Sequence, residues 1–250
     1  MNRFLVILFM VIITSYSSSQ IVNIENARMH SDTTGLMGNA GASLALTKNT
    51  QQIFLFNVNA HVQYKTHKDL YLLLGSYGFL KGSDTKLIDN SFLHFRYNRK
   101  INKLLRWEAF TQWQKNTITK IQYRFLLGTG PRFKLADTKK IKVYVATLLM
   151  YENEKETSQQ VIIHKDWRSS SYVSFSLLPN EHTELISTSF YQPLLKDVSD
   201  YRLLNQTRLK VKAGKRLSIS LNYNYLFDNF PAAGTPKTNY SFSTGIEYDF

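Results

Sequence analysis

Residues 239–250 read NYSFSTGIEYDF, and their side chains alternate between apolar and polar without a break. The first set contains Tyr240, Phe242, Thr244, Ile246, Tyr248 and Phe250, and the second contains Asn239, Ser241, Ser243, Gly245, Glu247 and Asp249. Because successive side chains of a β-strand point to opposite faces, this stretch predicts a strand with one apolar and one polar wall.

The same two-residue period recurs along most of the chain after residue 35, and helical spacing is absent. We count about 12 such segments, an even number within the range of outer-membrane β-barrels, and their lengths suit a tilted bilayer crossing. The sequence therefore predicts an all-β fold: one antiparallel transmembrane β-barrel with its apolar face to lipid and a polar, basic lumen. The segments are 36–47, 53–65, 70–80, 92–100, 105–114, 121–129, 141–151, 167–178, 182–192, 201–213, 217–227 and 239–250.

Segment 201–213 fixes the predicted orientation most firmly. One of its faces carries no charge, and the other carries Arg202, Arg208, Lys210 and Lys212. A Lys or Arg that faces lipid costs about 2–4 kcal/mol at the bilayer midplane, so the strand cannot be turned over without a large penalty. A lipocalin-like barrel or a β-sandwich would instead bury the apolar face, but soluble ligand-binding barrels usually have about 8 strands.

The connections and the aromatic residues also fit a barrel in a membrane. The predicted short turns lie near 66–68, 100–102, 137–139, 179–181 and 214, whereas the longer loops lie around 82–90, 153–165, 193–200 and 229–237. Short turns at one rim and long loops at the other indicate a barrel whose N-terminus is periplasmic. Aromatic residues near strand ends fit interfacial girdles, namely Tyr64, Trp107, Trp113, Tyr151, Trp167 and Tyr201.

The N-terminal residues predict export. Asn2 and Arg3 precede an apolar run over 4–13 and a small, polar stretch over 14–20, which is the layout of a signal peptide. The run is about half the length that a membrane-spanning helix needs. We therefore expect a signal peptide over 1–20, a periplasmic segment over 21–34 and the barrel over 35–250, in the outer membrane.

Composition limits the chemistry. The chain has no Cys, which excludes disulfides and thiolate metal sites. It carries 31 Lys and Arg against 18 Asp and Glu, a balance that favours anionic partners such as lipopolysaccharide or small acidic solutes. Export argues against nucleic acid. No His pairs with another His or a carboxylate at a metal-binding spacing, so we expect neither a metal nor a cofactor.

Several strand-edge motifs resemble outer-membrane proteins of the domain of unknown function 481 group from Bacteroidetes, which are also called salt-induced outer-membrane proteins. The motifs are NAHVQY (59–64), NSFLHFRY (90–97), LRWEAF (105–110), LGTGPR (127–132), YQPL (191–194) and PKTNYS (236–241). The resemblance implies a monomeric barrel that the barrel assembly machinery inserts from its C-terminal strand, with Tyr248 and Phe250 as the signal. It supplies no catalytic residue.

The candidate functional residues follow from the polar face. Those predicted to line an anion path are Arg96, Arg106, Arg124, Arg168, Arg202, Arg208, Lys210 and Lys212. Other polar lumen residues are Asn57, Asn59, His61, His94 and Glu108. We expect His94 to be solvated beside Arg96, and Glu108 to form an ion pair with Arg106 that braces the interior.

Three functions agree with this pattern. The first is a small passive diffusion channel whose basic lumen favours anions. The second is a plugged structural or surface-binding barrel, in which the cations pair with lumen carboxylates or with loop acids such as Glu152, Glu154 and Glu156. The third, an outer-membrane lipid hydrolase, needs a Ser and a His close together, and no His-x-Ser pair occurs. We therefore expect no enzymatic activity.

Overall fold

Twelve strands build the fold. The structure is a computed structural model that describes residues 34–48, 52–82, 85–157, 161–214 and 217–248; the predicted signal peptide, most of the predicted periplasmic segment and Phe250 lie outside these residues. The strands are β1 (Gly35–Lys48), β2 (Gln52–Lys65), β3 (Asp69–Gly82), β4 (Thr85–Lys100), β5 (Leu105–Asn116), β6 (Ile121–Asp137), β7 (Ile141–Glu156), β8 (Ile163–Asn180), β9 (Thr183–Pro193), β10 (Tyr201–Lys212), β11 (Leu217–Asp228) and β12 (Thr238–Tyr248).

Every strand pairs antiparallel with the next one along the chain, in a single 12-stranded sheet. This confirms the predicted all-β antiparallel architecture and its strand number. Within the described ranges, no pairing joins β1 to β12, so closure of the sheet into a complete barrel stays a prediction. Those ranges also contain no helix that is long and apolar enough to cross a bilayer.

The sheet is strongly curled, because side chains meet across strands that are not neighbours. The Tyr172 hydroxyl of β8 donates to Glu108 of β5 at 2.6 Å, and Arg202 of β10 donates to Glu152 of β7 at 2.6 Å. In a flat sheet, three strand spacings would separate these backbones by about 14 Å. The inner face therefore encloses an interior, and the outer face is convex.

Burial follows the predicted alternation. Along β10, Arg202, Leu204 and Gln206 are buried, whereas Leu203 between them is exposed. Because the concave face collects the charged residues, large apolar side chains cover the convex face in the pattern expected for contact with lipid. The convex face includes Leu93, Phe95, Leu127, Leu149, Trp167 and Val173, all exposed.

Two regions differ from the sequence prediction. The loop expected over 82–90 is largely absent, because β4 already begins at Thr85. Near the start of β4, the Lys115 ammonium donates a hydrogen bond to the Asp89 carboxylate at 2.7 Å. The loop expected over 153–165 is also shorter, since β7 continues to Glu156 and β8 begins at Ile163. The loops expected over 193–200 and 229–237 are present, between β9 and β10 and between β11 and β12.

The interior also contains an apolar layer that alternation did not reveal. It lies beside the charged residues and combines side chains from β5 to β11. A smaller cluster joins Leu72 and Leu74 of β3 to Phe92 of β4. The sequence LYLLLGSYGFL of β3 is apolar on both faces for this reason. The members of the larger layer are Phe110, Leu126, Ala146, Leu148, Met150, Tyr172, Phe190, Leu204 and Leu226.

A glycine permits a close approach between two strands of this interior. A Cβ atom on Gly130 of β6 would lie 2.3 Å from the Thr147 carbonyl oxygen and 2.7 Å from the Leu148 Cα of β7. Both contacts are with backbone, so only a displacement of the strands could relieve them.

We therefore expect Gly130→Ala to destabilise the folded protein by about 1–3 kcal/mol through overpacking. The measurement is the urea dependence of folding in detergent micelles. Gly214→Ala is the matched control, because a Cβ there meets nothing within 4 Å. Equal midpoints for the two variants would contradict the close approach of β6 and β7.

Candidate functional site: a charged interior

Two groups of buried arginines and carboxylates fill much of the interior. The first surrounds Glu108 of β5, whose side chain is fully buried. Its carboxylate accepts hydrogen bonds from Arg96 of β4 at 3.1 Å, from Arg132 of β6 at 3.0 Å and from the Tyr172 hydroxyl. Glu108 therefore joins three strands besides its own, whereas the sequence pointed only to its strand neighbour Arg106.

Aromatic rings complete the surroundings of the first group. The guanidinium of Arg132 lies over the Tyr144 ring at 3.9 Å, and that of Arg96 lies over the Phe110 ring at 5.0 Å. A desolvated cation over an aromatic face gains an attraction that partly offsets the loss of water. These contacts explain how two arginines are accommodated around one carboxylate.

The second group surrounds Glu152 and Glu154 of β7. Glu152 binds Arg124 at 3.1 Å, and it accepts hydrogen bonds from Arg168 and Arg202, each at 2.6 Å. Glu154 accepts a short hydrogen bond from Arg124 and lies 3.5 Å from Arg202. Arginines of β6, β8 and β10 thus converge on two carboxylates of one strand.

The second group extends outward to the rim of the longer loops. Arg168 binds both carboxylate oxygens of Asp200, at 3.0 and 3.2 Å, in the bidentate geometry that favours this pair. Arg202 donates to Asp228 at 2.8 Å. Because Asp200 ends the β9–β10 loop and Asp228 ends β11, the interior charges also hold the bases of two long loops.

His94 is buried rather than solvated. Its ring lies between those of Phe92 and Phe110, with centroid distances of 6.1 and 5.6 Å. Its Nδ1 is 3.0 Å from the Gln112 amide oxygen, and Arg96 Nε donates to its Nε2 at 3.4 Å. The expected closeness to Arg96 is present, but the apolar layer excludes bulk water from the imidazole.

Two small cavities adjoin these groups. A cavity of about 20 Å³ lies between the two charged groups, lined by residues that include Arg96, Arg124 and Arg202. A cavity of about 40 Å³ lies beneath the β11–β12 loop, where Phe230 and Pro236 cover Glu154. A single water needs roughly 10–15 Å³ measured in this way, so the two cavities hold only a few waters.

The other predicted lumen residues differ in their burial. Arg106 lies over the Tyr144 ring at 5.6 Å and is partly buried, as are Arg208 and Lys210, whereas Lys212 is exposed at the short-turn end. On β2, Asn57 and Asn59 are exposed and His61 is partly buried. The backbone of Tyr248 belongs to β12.

The residues around Asn57 and Asn59 form a second kind of inner wall. They face Ser43 and Gly41 of β1 in register, and residues directly opposite in an antiparallel pair share a face. The inward residues of β12 are equally small and polar, being Asn239, Ser241, Ser243 and Gly245. The interior is therefore filled beside β4–β10 and lined by small polar groups beside β1, β2 and β12.

Sequence reasoning missed several members of the charged groups. The sequence pattern does not single out Arg132 or Tyr172, and it places Glu152 and Glu154 in a loop although they belong to β7. The alternation of side chains along each strand would identify all four as inward, but their partners are distant in sequence. Within the described ranges, no cluster of His, Asp and Glu has the arrangement of a metal site.

The comparisons with known proteins agree with this architecture. A solved structure of the NanC porin matches with a TM-score of 0.52 and 8% identity, over 84% of this chain and 99% of that chain. The translocator domain of the autotransporter NalP from Neisseria meningitidis matches with a TM-score of 0.45 and 11% identity, over 91% and 92%. OmpT of Vibrio cholerae matches with a TM-score of 0.28 and 11% identity, over 86% and 95%.

The fold is thus that of outer-membrane β-barrels, and the porin alignment supports this likeness of fold alone. Residues 39–250 match the family described as "Protein of unknown function, DUF481", and the chain belongs to this family. The predicted family is confirmed, whereas the Bacteroidetes origin and the salt-induced character stay predictions. No curated protein matches the sequence significantly.

The buried position of Glu108 yields a stability prediction. Glu108→Gln removes the negative charge while Arg96 and Arg132 stay buried, and the loss of one partner of a buried pair costs about 3–5 kcal/mol. The measurement is the free energy of unfolding by urea in micelles. Asp89→Asn is the control, because its partners Lys86 and Lys115 keep 62% and 38% of their side chains exposed, and pairs that water screens contribute about 0–1 kcal/mol. Similar losses in both variants would contradict a desolvated interior pair.

Proposed function

We propose that the protein is an outer-membrane β-barrel whose interior is plugged by its arginine–carboxylate groups, and that it acts as a structural or surface-binding barrel without steady transport. The observation that carries the proposal is the pairing of Arg96, Arg124, Arg168 and Arg202 with buried carboxylates. A basic ring selects anions when its charges face an open, water-filled pore. Here the same charges are bound to carboxylates, and the cavities among them are the size of a few waters.

The proposed location follows from the outer face. Exposed aromatic residues flank the exposed aliphatic ones toward both strand ends, with Trp107 and Tyr64 at one end and Trp113 and Trp167 at the other. Such girdles are typical of barrels at membrane interfaces. With the predicted signal peptide, this supports insertion by the barrel assembly machinery as a monomer, surrounded by lipid and lipopolysaccharide.

A diffusion channel is the second candidate, and one observation favours it. The inner wall of β1, β2 and β12 carries small polar residues, so a passage there would avoid the charged groups. Closure of β1 against β12 would complete such a passage. The channel would then be lined by Asn and Ser. Its preference for anions would be weaker than that of a channel lined by all eight predicted basic residues.

An enzymatic role has less support. A lipid hydrolase would place a histidine beside a nucleophilic serine and orient it with a third polar group. His94 instead contacts Gln112 and Arg96 between two phenylalanine rings. His164 contacts Glu156 at 2.9 Å. We therefore propose a non-enzymatic protein.

Conductance of the purified protein in planar bilayers tests the proposal. We expect no steady single-channel current from the wild type, because the paired arginines and carboxylates occupy the interior beside β4–β10. The double variant Glu152→Ala/Arg202→Ala removes the central bridge, and resolvable current steps should appear. Lys212→Ala, at an exposed rim position, should stay silent. A steady, anion-selective current in the wild type would reject the plugged barrel and favour the channel.

The membrane location has a separate test. Leu149 in mid-strand and Leu104 in a turn are exposed to almost the same extent, at 50% and 51%. Arginine costs about 2–4 kcal/mol at the bilayer midplane and about 0–1 kcal/mol near its edges. Leu149→Arg should therefore destabilise the protein folded in lipid vesicles far more than Leu104→Arg does. Equal effects would show that the outer face is not in hydrocarbon.

A further inference from the structure

Basic side chains crowd the end of the sheet at which the short turns lie. We call this end the turn rim; it comprises the β2–β3, β4–β5, β6–β7, β8–β9 and β10–β11 turns and the strand ends beside them. Its basic residues are Lys65, Lys68, Arg99, Lys100, Lys103, Lys134, Lys139, Lys140, Lys142, Lys210 and Lys212. Its acidic residues are Asp69, Asp137, Glu181 and Glu184, and the backbone of Glu247 in β12 pairs with Ser218 beside the last of these turns.

Backbone hydrogen bonds place neighbouring basic turns side by side. The Lys100 amide donates to the Lys68 carbonyl oxygen at 2.8 Å, which joins the first two turns. The Lys134 amide donates to the Leu104 carbonyl oxygen at 2.8 Å, which joins the second turn to the strand before the third. Further backbone hydrogen bonds join the remaining turns, from the Leu178 amide to the Lys140 carbonyl oxygen and from the Lys212 amide to the His182 carbonyl oxygen, each at 2.7 Å. The basic turns therefore form one continuous arc.

Some basic residues of the rim pair with carboxylates, whereas three exposed lysines of its turns form no ion pair within the described ranges. Asp137 binds Lys134, and Asp69 accepts from Tyr97 at 2.7 Å and lies 3.6 Å from Arg99. No ion pair in the described part of the chain involves Lys103, Lys139 or Lys140, which are all exposed. At the opposite end, by contrast, Asp89 and Asp166 bind the lysines around them.

Apolar and aromatic residues are interleaved with these charges. Ile101 and Leu104 in the β4–β5 turn are exposed on either side of Lys103, and Leu135 is exposed beside Lys134. On the outer face just inside the rim, the rings of Tyr64, Tyr71 and Tyr97 form a chain with centroid distances of 6.1 and 5.1 Å. Trp107, 45% exposed, extends this belt.

We propose that the turn rim binds anionic phospholipid head groups of the leaflet around it. The exposed lysines of the turns, Lys68, Lys103, Lys139 and Lys140, would contact phosphate and anionic glycerol groups. Ile101, Leu104 and the aromatic belt would contact the upper acyl chains. A soluble anionic polymer would satisfy the charges but would leave these apolar side chains in water, so lipid is the better fit. The inference rests on the proposed location in a membrane and assigns its lipid contacts to a defined surface.

Trp107 reports on this surface, because it is the tryptophan at the turn rim. Replacing Trp113 and Trp167 by Phe leaves it as the sole tryptophan of the full-length protein, whose emission is excited selectively at the red edge of its absorption. The protein is reconstituted in phosphatidylcholine vesicles that contain either brominated phosphatidylcholine or brominated phosphatidylglycerol as the quencher. The ratio of the two quenching curves gives the local enrichment of the anionic lipid.

We expect phosphatidylglycerol to be enriched about fivefold or more near Trp107, since a basic residue at an anionic surface changes association by about that factor. Lys103→Gln/Lys139→Gln/Lys140→Gln should return the ratio to near one. The matched control, Lys81→Gln/Lys155→Gln/Lys165→Gln, removes the same charge at the other end and should leave the ratio unchanged.

The outcomes separate this inference from the proposed function. Failure of brominated phosphatidylcholine to quench Trp107 would mean that the rim is not in a bilayer, which overturns both. Quenching by both lipids to the same extent would leave the membrane location intact and overturn the lipid site. An equal loss of enrichment in the two triple variants would also overturn it, because net charge and not this arc would then attract the lipid.

Discussion

A carboxylate that binds arginines from three strands holds one half of the interior together. Glu152 of β7 contacts Arg124, Arg168 and Arg202, which come from β6, β8 and β10. A charge buried away from water is very costly unless opposite charges and hydrogen bonds replace its hydration. The strands that carry these side chains therefore have to converge on one point, and a flat sheet would keep them apart. The same pairing that satisfies the charges thus favours the curl of the sheet.

This constraint also governs what the interior can do. Arginines that are bound to carboxylates on several strands have little freedom to contact a passing solute. The apolar layer of Phe110, Met150, Phe190 and their neighbours lies beside the charged groups and strengthens their interactions by excluding water. Among the side chains that the structure describes, the inner wall of β1, β2 and β12 includes small polar groups such as Asn57, Asn59 and Ser241, and its charged residue Lys65 lies at the turn rim. The interior is therefore asymmetric, with a rigid half and a polar half next to the strands at the two edges of the sheet.

The two-residue period was enough to predict the strands whose faces differ most. In β10, four cations on one face exclude contact of that face with lipid, so the local pattern fixed its orientation. The orientation of β3 was harder to predict, because a strand that is apolar on both faces shows no polar side to distinguish them. Its inward Leu72 and Leu74 pack on Phe92 of the next strand. The sequence pattern predicts a loop at the start of β4. In the structure, Asp89 instead accepts a hydrogen bond from Lys115 at the end of β5, and its amide donates to the Thr117 hydroxyl just beyond β5.

The charged interior was predictable in outline only. The two-residue alternation identified Arg124, Arg168 and Arg202 as inward, but it could not identify the carboxylates that bind them. Glu152 and Glu154 lie in YENEKE, a stretch whose composition resembles a loop, and their partners are separated from them by 16 to 50 residues along the chain. Pairing of that kind depends on the curl of the whole sheet and on strand register, which no local pattern encodes.

The most direct test of the plugged interior is the contact between Arg202 and Glu152 in a lipid bilayer. Solid-state NMR on protein labelled with ¹⁵N at arginine and ¹³C at glutamate would measure the coupling between the guanidinium nitrogens and the carboxylate carbons. The account predicts strong couplings that place these groups in direct contact, with guanidinium protons protected from exchange with water. Guanidinium groups that exchange rapidly with water and show no coupling to a carboxylate would contradict it.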